Sequence, residues 1–184
     1  MSAQTKRLIA LLHKHSVRTG RVVLASGKIS DFYVDARQTT LNAEGAALIG
    51  QMMLQRLNPD VVGVGGPVTG ADPITGAVAA LSWNSDRPLH GFMVRKALKA
   101  HGTQNWIEGR DNLPPGSKVC MIEDTVTTGG SLLRAVERAR EEGLDVVQCI
   151  CVVDRQEGAA ERMAAVGLTL ESLVTRTDLL ADAS

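Results

Sequence analysis

Four runs of almost unbroken apolar residues alternate with segments of helical periodicity, and this alternation limits the fold more than any other feature of the chain. The runs are DVVGVGG (60–66), HGFMVRK (90–96), SKVCMIED (117–124) and DVVQCICVVDR (145–155). A strand with one wet face alternates apolar and polar residues. These runs do not, so both faces are expected to be covered, as in a parallel sheet layered between helices. Helical spacing marks residues 5–15, 42–57, 71–82, 130–143 and 158–167. Asn42 is placed to cap the second of these and Gly143 to end the fourth, in which Leu132, Leu133, Val136 and Ala139 share a face. From Leu168 the tail reads as a short strand and a last helix. LESLVTRTDLLAD (170–182) reads as an amphipathic helix suited to capping the sheet or meeting a partner. With no repeat and no linker, the expectation is a single α/β domain over residues 1–184, a parallel twisted sheet flanked by helices.

Parallel sheets hold ligands at the carboxyl ends of their strands. The polar residues collect at those ends, at 65–72, 95–101, 123–131 and 154–155. Composition narrows the partners. Twenty basic and twenty acidic side chains cancel, so no overall field draws in nucleic acid or an anionic membrane, and any phosphate recognition must be local. The N-terminal apolar run spans only 8–12 between basic residues, too short for a signal sequence, and no uncharged stretch reaches the ~18 residues of a spanning helix. Cys120, Cys149 and Cys151 sit in apolar strand-like runs. They read as buried reduced thiols, which suits a cytoplasmic protein. Zinc motifs of the CxxC and HExxH kind do not occur in the sequence.

The chemistry is concentrated in CMIEDTVTTGGS (120–131). A strand, a Thr/Gly/Ser bend and a helix start make an anion site, because the first amides of a helix point outward and hydroxyls add donors. It is neither a Walker A loop nor a GxGxxG turn, since neither pattern occurs in the chain. Glu123 and Asp124 would repel a bare phosphate. They fit a ligand that carries vicinal hydroxyls and a divalent cation beside its phosphate. The stretch therefore describes a ribose phosphate.

This stretch resembles the phosphoribosyl-pyrophosphate (PRPP) signature of the type I phosphoribosyltransferases. SGKISDFYVDARQTTL (26–41) and MVRKALKAHGTQNWIEG (93–109) resemble, within that family, the orotate phosphoribosyltransferases. The resemblance runs from about Ser16 to Arg155. It implies the type I fold with a small N-terminal hood, transfer of ribose 5-phosphate from PRPP to orotate in pyrimidine synthesis, and Mg²⁺ as cofactor, held mainly by PRPP and water. It implies PRPP contacts from Glu123, Asp124, Thr125, Val126, Thr127, Thr128, Gly129, Gly130 and Ser131. It also implies a mobile catalytic loop over about 97–105 that closes over PRPP, with Arg95, Lys96, Lys99 and His101 matching the family's basic motif and contacting PRPP as well. In a homodimer, Arg95, Lys99 and His101 would reach the neighbour's site while Lys96 serves its own. Catalytic roles fall to Lys96, Lys99, His101, Glu123 and Asp124, with His101 a candidate acid for the leaving group. Orotate contacts fall to Tyr33, Val34, Thr127 and Arg155; a guanidinium fork suits the orotate carboxylate and has no counterpart on a purine.

Two positions depart from the family pattern. Ala25 and Thr69 stand where lysines are common, with Lys28 a possible substitute for the first and the amides of Val68 and Thr69 left to hold pyrophosphate. Two other functions share the signature. A purine or other base transferase would keep residues 123–131 without needing Arg155, and a PRPP-sensing regulator would need a nucleic-acid surface that a neutral chain of this size does not offer.

Overall fold

The computed structural model of the chain describes residues 1–23, 29–97 and 105–181. Helix α1 (Ala3–His15) starts at Ser2, whose hydroxyl accepts from the Thr5 amide. It leads into β1 (Val17–Val23) and β2 (Ile29–Val34), an antiparallel pair in which Val17 lies opposite Val34. This hood is not a separate unit. Leu8, Ile9, Leu12, Phe32 and Val34 share one apolar cluster with Ile49, Met52, Val64 and Ile150 of the main body. A buried hydroxyl pair, Ser16 Oγ to Thr39 Oγ1 at 2.6 Å, ties the end of α1 to the short helix α2 (Arg37–Thr40). Helix α3 (Ala43–Leu54) follows, and Asn42 caps it as expected by accepting from the amides of Glu44 and Gly45.

The main sheet is built from β3 (Gly63–Pro67), β4 (His90–Val94), β5 (Ile107–Glu108), β6 (Lys118–Val126), β7 (Asp145–Asp154) and β8 (Leu170–Thr175), in the order β5-β4-β3-β6-β7-β8. Every pairing is parallel except the β4–β5 hairpin at one edge. Its unbroken apolar runs have the reason inferred from sequence. Val64, Cys120, Ile122, Ile150 and Val152 pack on one face with α1, α3 and α4 (Asp72–Ser82). Phe92, Val119, Met121, Val146, Cys149 and Cys151 pack on the other with α5 (Gly130–Glu141) and α6 (Ala159–Ala164). Each fully covered aliphatic side chain contributes about 1.5–3 kcal/mol. The one polar break in the β7 run, Gln148, is fully used: it accepts from the Asn58 amide at 2.9 Å and donates to Arg56 O at 2.8 Å and Glu171 Oε1 at 2.9 Å. Helix α5 ends where Leu144 N–H returns to Ala139 O, beyond Gly143.

Three readings change. Strand β6 runs two residues beyond the expected end at 124, to Val126, so the bend begins only at Thr127; pairing of Thr125 with Val153 and Val126 with Asp154 holds the extension. Residues 170–182 are not one helix. Leu170–Thr175 pairs with β7 as β8, and only α7 (Arg176–Ala181) is helical, capped by the Thr175 hydroxyl on the Asp178 amide. Leu179 of α7 is fully buried in the hood-side cluster, so the tail covers the sheet. Strands β1 and β5 were not foreseen. Among the described residues no helix is long and apolar enough to cross a membrane.

Candidate active site

Strands β3 and β4 run outward in one direction from the middle of the sheet, and the chain then returns to place β6 on the other side of β3. At such a reversal neighbouring loops diverge and a crevice opens at the carboxyl ends. Here the crevice lies between the turn 67–70 and the end of β6. A cavity of about 280 Å³ is lined there by Tyr33, Val34, Asp35 and Arg37 of the hood, Val68, Thr69 and Gly70 of the turn, and Lys96, Glu123, Asp124, Thr125 and Ser131. A second cup of about 150 Å³ adjoins it, formed by Glu123 and residues 125–132. Glu123, Thr125 and Ser131 belong to both, so the cavity bordered by the carboxyl pair and the cup formed by the bend share a wall.

The cup has the makings of an anion site. Gly129 takes φ 75, the left-handed region that a side chain disfavours, and so turns the chain from strand into α5. Its carbonyl accepts the first helical bond, from Leu133, and no side chain caps the helix. The amides of the first turn thus face the cup along with the side chains of Thr127, Thr128 and Ser131. Across the larger cavity, Gly70 allows the turn to close on the acids: a Cβ there would stand 2.5 Å from Asp124 Oδ1 and 2.8 Å from Glu123 Oε1.

Burial sets the charge of the pair. Glu123 is 7% exposed; burial, and after it the charge of Asp124, push its carboxyl up to about 9. Asp124 is raised as well, again mainly by burial, although the Thr125 amide at 2.6 Å pulls the other way. Asp35 behaves oppositely. Arg37 Nε donates to it at 2.8 Å and holds it below the ordinary carboxylate range. Neither Asp35 nor Arg37 was identified from sequence, because only the folding of the hood onto the sheet brings them to the acids.

The other sequence candidates separate into groups. Tyr33, Val34 and Lys96 line the larger cavity, and Thr127 lines the cup. Arg155 follows β7; its amide donates to Val126 O at 2.9 Å and its Nη2 meets Glu157 Oε1 at 2.9 Å, while its buried Nε has no partner among the described residues. It stands beside the bend without lining either cavity. Arg95 pairs with Glu108 at 2.9 Å and, with Lys96, borders a wider cavity of about 500 Å³ against Trp106 and α5. There Arg138 sits 3.9 Å over the Trp106 ring. Lys99, His101, Ala25 and Lys28 lie outside the described residues, as does most of the loop expected over 97–105. At the turn, the Val68 amide is committed to Val94 O at 3.0 Å. It is therefore not available to pyrophosphate, and the amides of Thr69 and Gly70 remain.

Residues 38–174 match the model of the phosphoribosyl transferase domain. The orotate phosphoribosyltransferase of Sorangium cellulosum is 44% identical over 98% of this chain and 95% of its own length. Among solved structures, orotate phosphoribosyltransferase of Mycobacterium tuberculosis in complex with Fe(III) dicitrate superposes with a TM-score of 0.84 at 42% identity, covering 96% of this chain and 98% of that one. The same enzyme in complex with PRPP superposes at 0.80 and 37% identity, covering 96% and 98%. A crevice at the sheet reversal, a buried acid pair and an uncapped helix start are thus set in a chain that belongs to the phosphoribosyltransferase family and, within it, to the orotate phosphoribosyltransferases.

Proposed function

We propose that this chain transfers the 5-phosphoribosyl group of PRPP to orotate, releasing pyrophosphate and forming orotidine 5′-monophosphate. The observation that carries this reading is the adjoining placement of the cavity lined by the acid pair and the amide-rich cup, which share Glu123, Thr125 and Ser131. The cup takes the 5′-phosphate on the amides of α5 and the hydroxyls of Thr127, Thr128 and Ser131. Glu123 and Asp124 accept from the ribose hydroxyls, and as carboxylates they favour the cationic character that develops at C1. The C1–oxygen bond to pyrophosphate breaks, the C1–nitrogen bond to orotate forms, and the nitrogen's proton is released. Tyr33 and Val34 bound the base, and Arg155 exchanges Glu157 for the orotate carboxylate.

Lys96 lies at the rim of both the larger cavity and its wider neighbour, where it faces the leaving diphosphate. Arg95, Lys99 and His101 act from the basic loop of a second copy, with His101 as proton donor to the leaving group. Mg²⁺ fits as a substrate-borne ion. Asp124 and Asp35 border the cavity with oxygen ligands suited to a hydrated hard cation. When bound, it neutralises charge on the diphosphate. The protein acts as a cytoplasmic homodimer in pyrimidine synthesis.

The test follows orotate by its ultraviolet absorbance with PRPP and Mg²⁺ each supplied and each withheld, beside a panel of adenine, hypoxanthine, guanine and uracil. Loss of orotate only in the complete mixture is expected. Turnover of a purine in preference to orotate would remove the base assignment and leave the phosphoribosyl assignment standing.

A further inference from the structure

The bend at 127–131 has two neighbours that the reading above does not use. Arg134 stands one turn along α5 from Gly130, and helical side chains lean back over the turn before their own Cα. A Cβ built on Gly130 meets Arg134 Nη1 at 3.6 Å, Arg162 Nη1 from α6 at 3.9 Å, and the Thr128 hydroxyl at 4.0 Å. The stem of Arg162 passes the bend too, its Cδ 3.5 Å from the Cβ position of Gly129. Two guanidinium groups from different helices therefore converge on the first turn of α5, beside a threonine of the cup.

Their surroundings set them apart from the other arginines nearby. Arg138 is held by Glu141 and Trp106, Arg155 by Glu157, and Arg95 by Glu108. Arg110 is bound to the carbonyls of Leu113 and Glu142. Arg134 and Arg162 are exposed, and neither guanidinium makes an ion pair or hydrogen bond with another described residue. Two unpaired like charges around one point repel each other, and an anion between them reverses the sign. Gly130 leaves the intervening space open; a side chain there would fill it.

We infer that Arg134 and Arg162, which stand beside the cup at the first turn of α5, reach in to bind the 5′-phosphate of the phosphoribosyl donor and of the product nucleotide. The inference rests on the placement of the phosphoribosyl group proposed above. It also bears on Thr69, which lines the crevice without the positive charge that a lysine would bring there. With fewer cations there, the phosphate end carries more of the donor's affinity.

The test measures R134Q, R162Q and the double variant against the unaltered enzyme, with KM for PRPP and orotate in the forward direction, and for orotidine 5′-monophosphate and pyrophosphate in reverse. Ribose 5-phosphate serves as a competitive probe of the cup alone. Each single variant is expected to weaken PRPP, orotidine 5′-monophosphate and ribose 5-phosphate by about three- to tenfold. The double variant should lose about the product of the two and show a shallower dependence on salt. KM for orotate and pyrophosphate and the value of kcat should hold, and lysine at either position should restore part of the loss. Unchanged ribose 5-phosphate affinity in the double variant would overturn the inference, as would equal weakening of orotate and pyrophosphate. If the unaltered enzyme bound neither PRPP nor ribose 5-phosphate, the underlying placement of the ligand would fail instead.

Discussion

Glu123→Gln separates the electrostatic part of this site from its shape. In the folded protein the Glu123 carboxyl is pushed up to about 9, first by burial and then by Asp124. At pH 7 it lies two units below that value, so only ~1% of molecules carry the anion there. A ribose hydroxyl and a nearby cation both favour the anion. Binding of PRPP with Mg²⁺ should therefore expel a proton, and affinity should climb about tenfold per pH unit between about 7 and 8.5, or about 1.4 kcal/mol per unit. Asp124 is raised as well, so the proton belongs to the pair. Glutamine keeps the shape and cannot ionise, which flattens this slope. Calorimetric titration in two buffers of different ionisation enthalpy counts the protons. About one released per PRPP at pH 7.5 is expected for the unaltered enzyme, and close to none for E123Q. An equal proton count in the two proteins would refute the reasoning. The stability sign is opposite to the binding sign. A carboxyl whose folded value lies above its unfolded value keeps extra protons in the folded state, so its contribution falls as pH rises from about 4.5 toward 9. E123Q should accordingly be more thermostable than the unaltered protein at pH 8 and no more so at pH 4.

Other expected outcomes follow from the same geometry. Gly70→Ala places a methyl 2.5 Å from Asp124 Oδ1; PRPP affinity should fall at least about tenfold with little change in Tm, because the turn is at the crevice and the displaced group is the ligand-facing acid. Arg155→Lys removes the planar fork and should raise KM for orotate by about 10- to 100-fold in steady-state assays while KM for PRPP moves little. Cys120, Cys149 and Cys151 are buried and unpaired, and burial raises all three thiols, Cys149 to about 12. A thiol-reactive chromogen at pH 8 should label none of them in the native protein and all three in denaturant; fast native labelling would contradict their place in the sheet.

Local chemistry made much of this protein legible in its residues. A strand walled on both sides has no reason to alternate, so the runs at 60–66, 90–96, 117–124 and 145–155 disclosed a covered parallel sheet. A helix start after threonine and glycine must leave amides free, so the bend at 127–131 pointed to a cup suited to an anion, and the acids before it to the hydroxyl-bearing ligand proposed above. The ends of elements were less legible, because pairing decides them. Nothing local extends β6 to Val126; its neighbour β7 does, through Thr125 and Val126. Residues 170–175 carry a pattern fit for a helix until the exposed edge of β7 recruits them. Strand β1 contains charged and glycine residues with weak alternation and acquires its conformation from β2.

The sequence alone determined the layer architecture, the acid pair and the cup, since each depends on residues adjacent in the chain. Tertiary structure decided the strand order, the closure of Gly70 on the acids, the use of the Val68 amide by Val94, and the arrival of Asp35, Arg37 and Arg162 around the site. Those facts rest on contacts between residues tens of positions apart. The physical reason is that burial and charge are properties of the assembled surroundings: Glu123 is an ordinary carboxyl in the chain and one pushed up to about 9 in the fold.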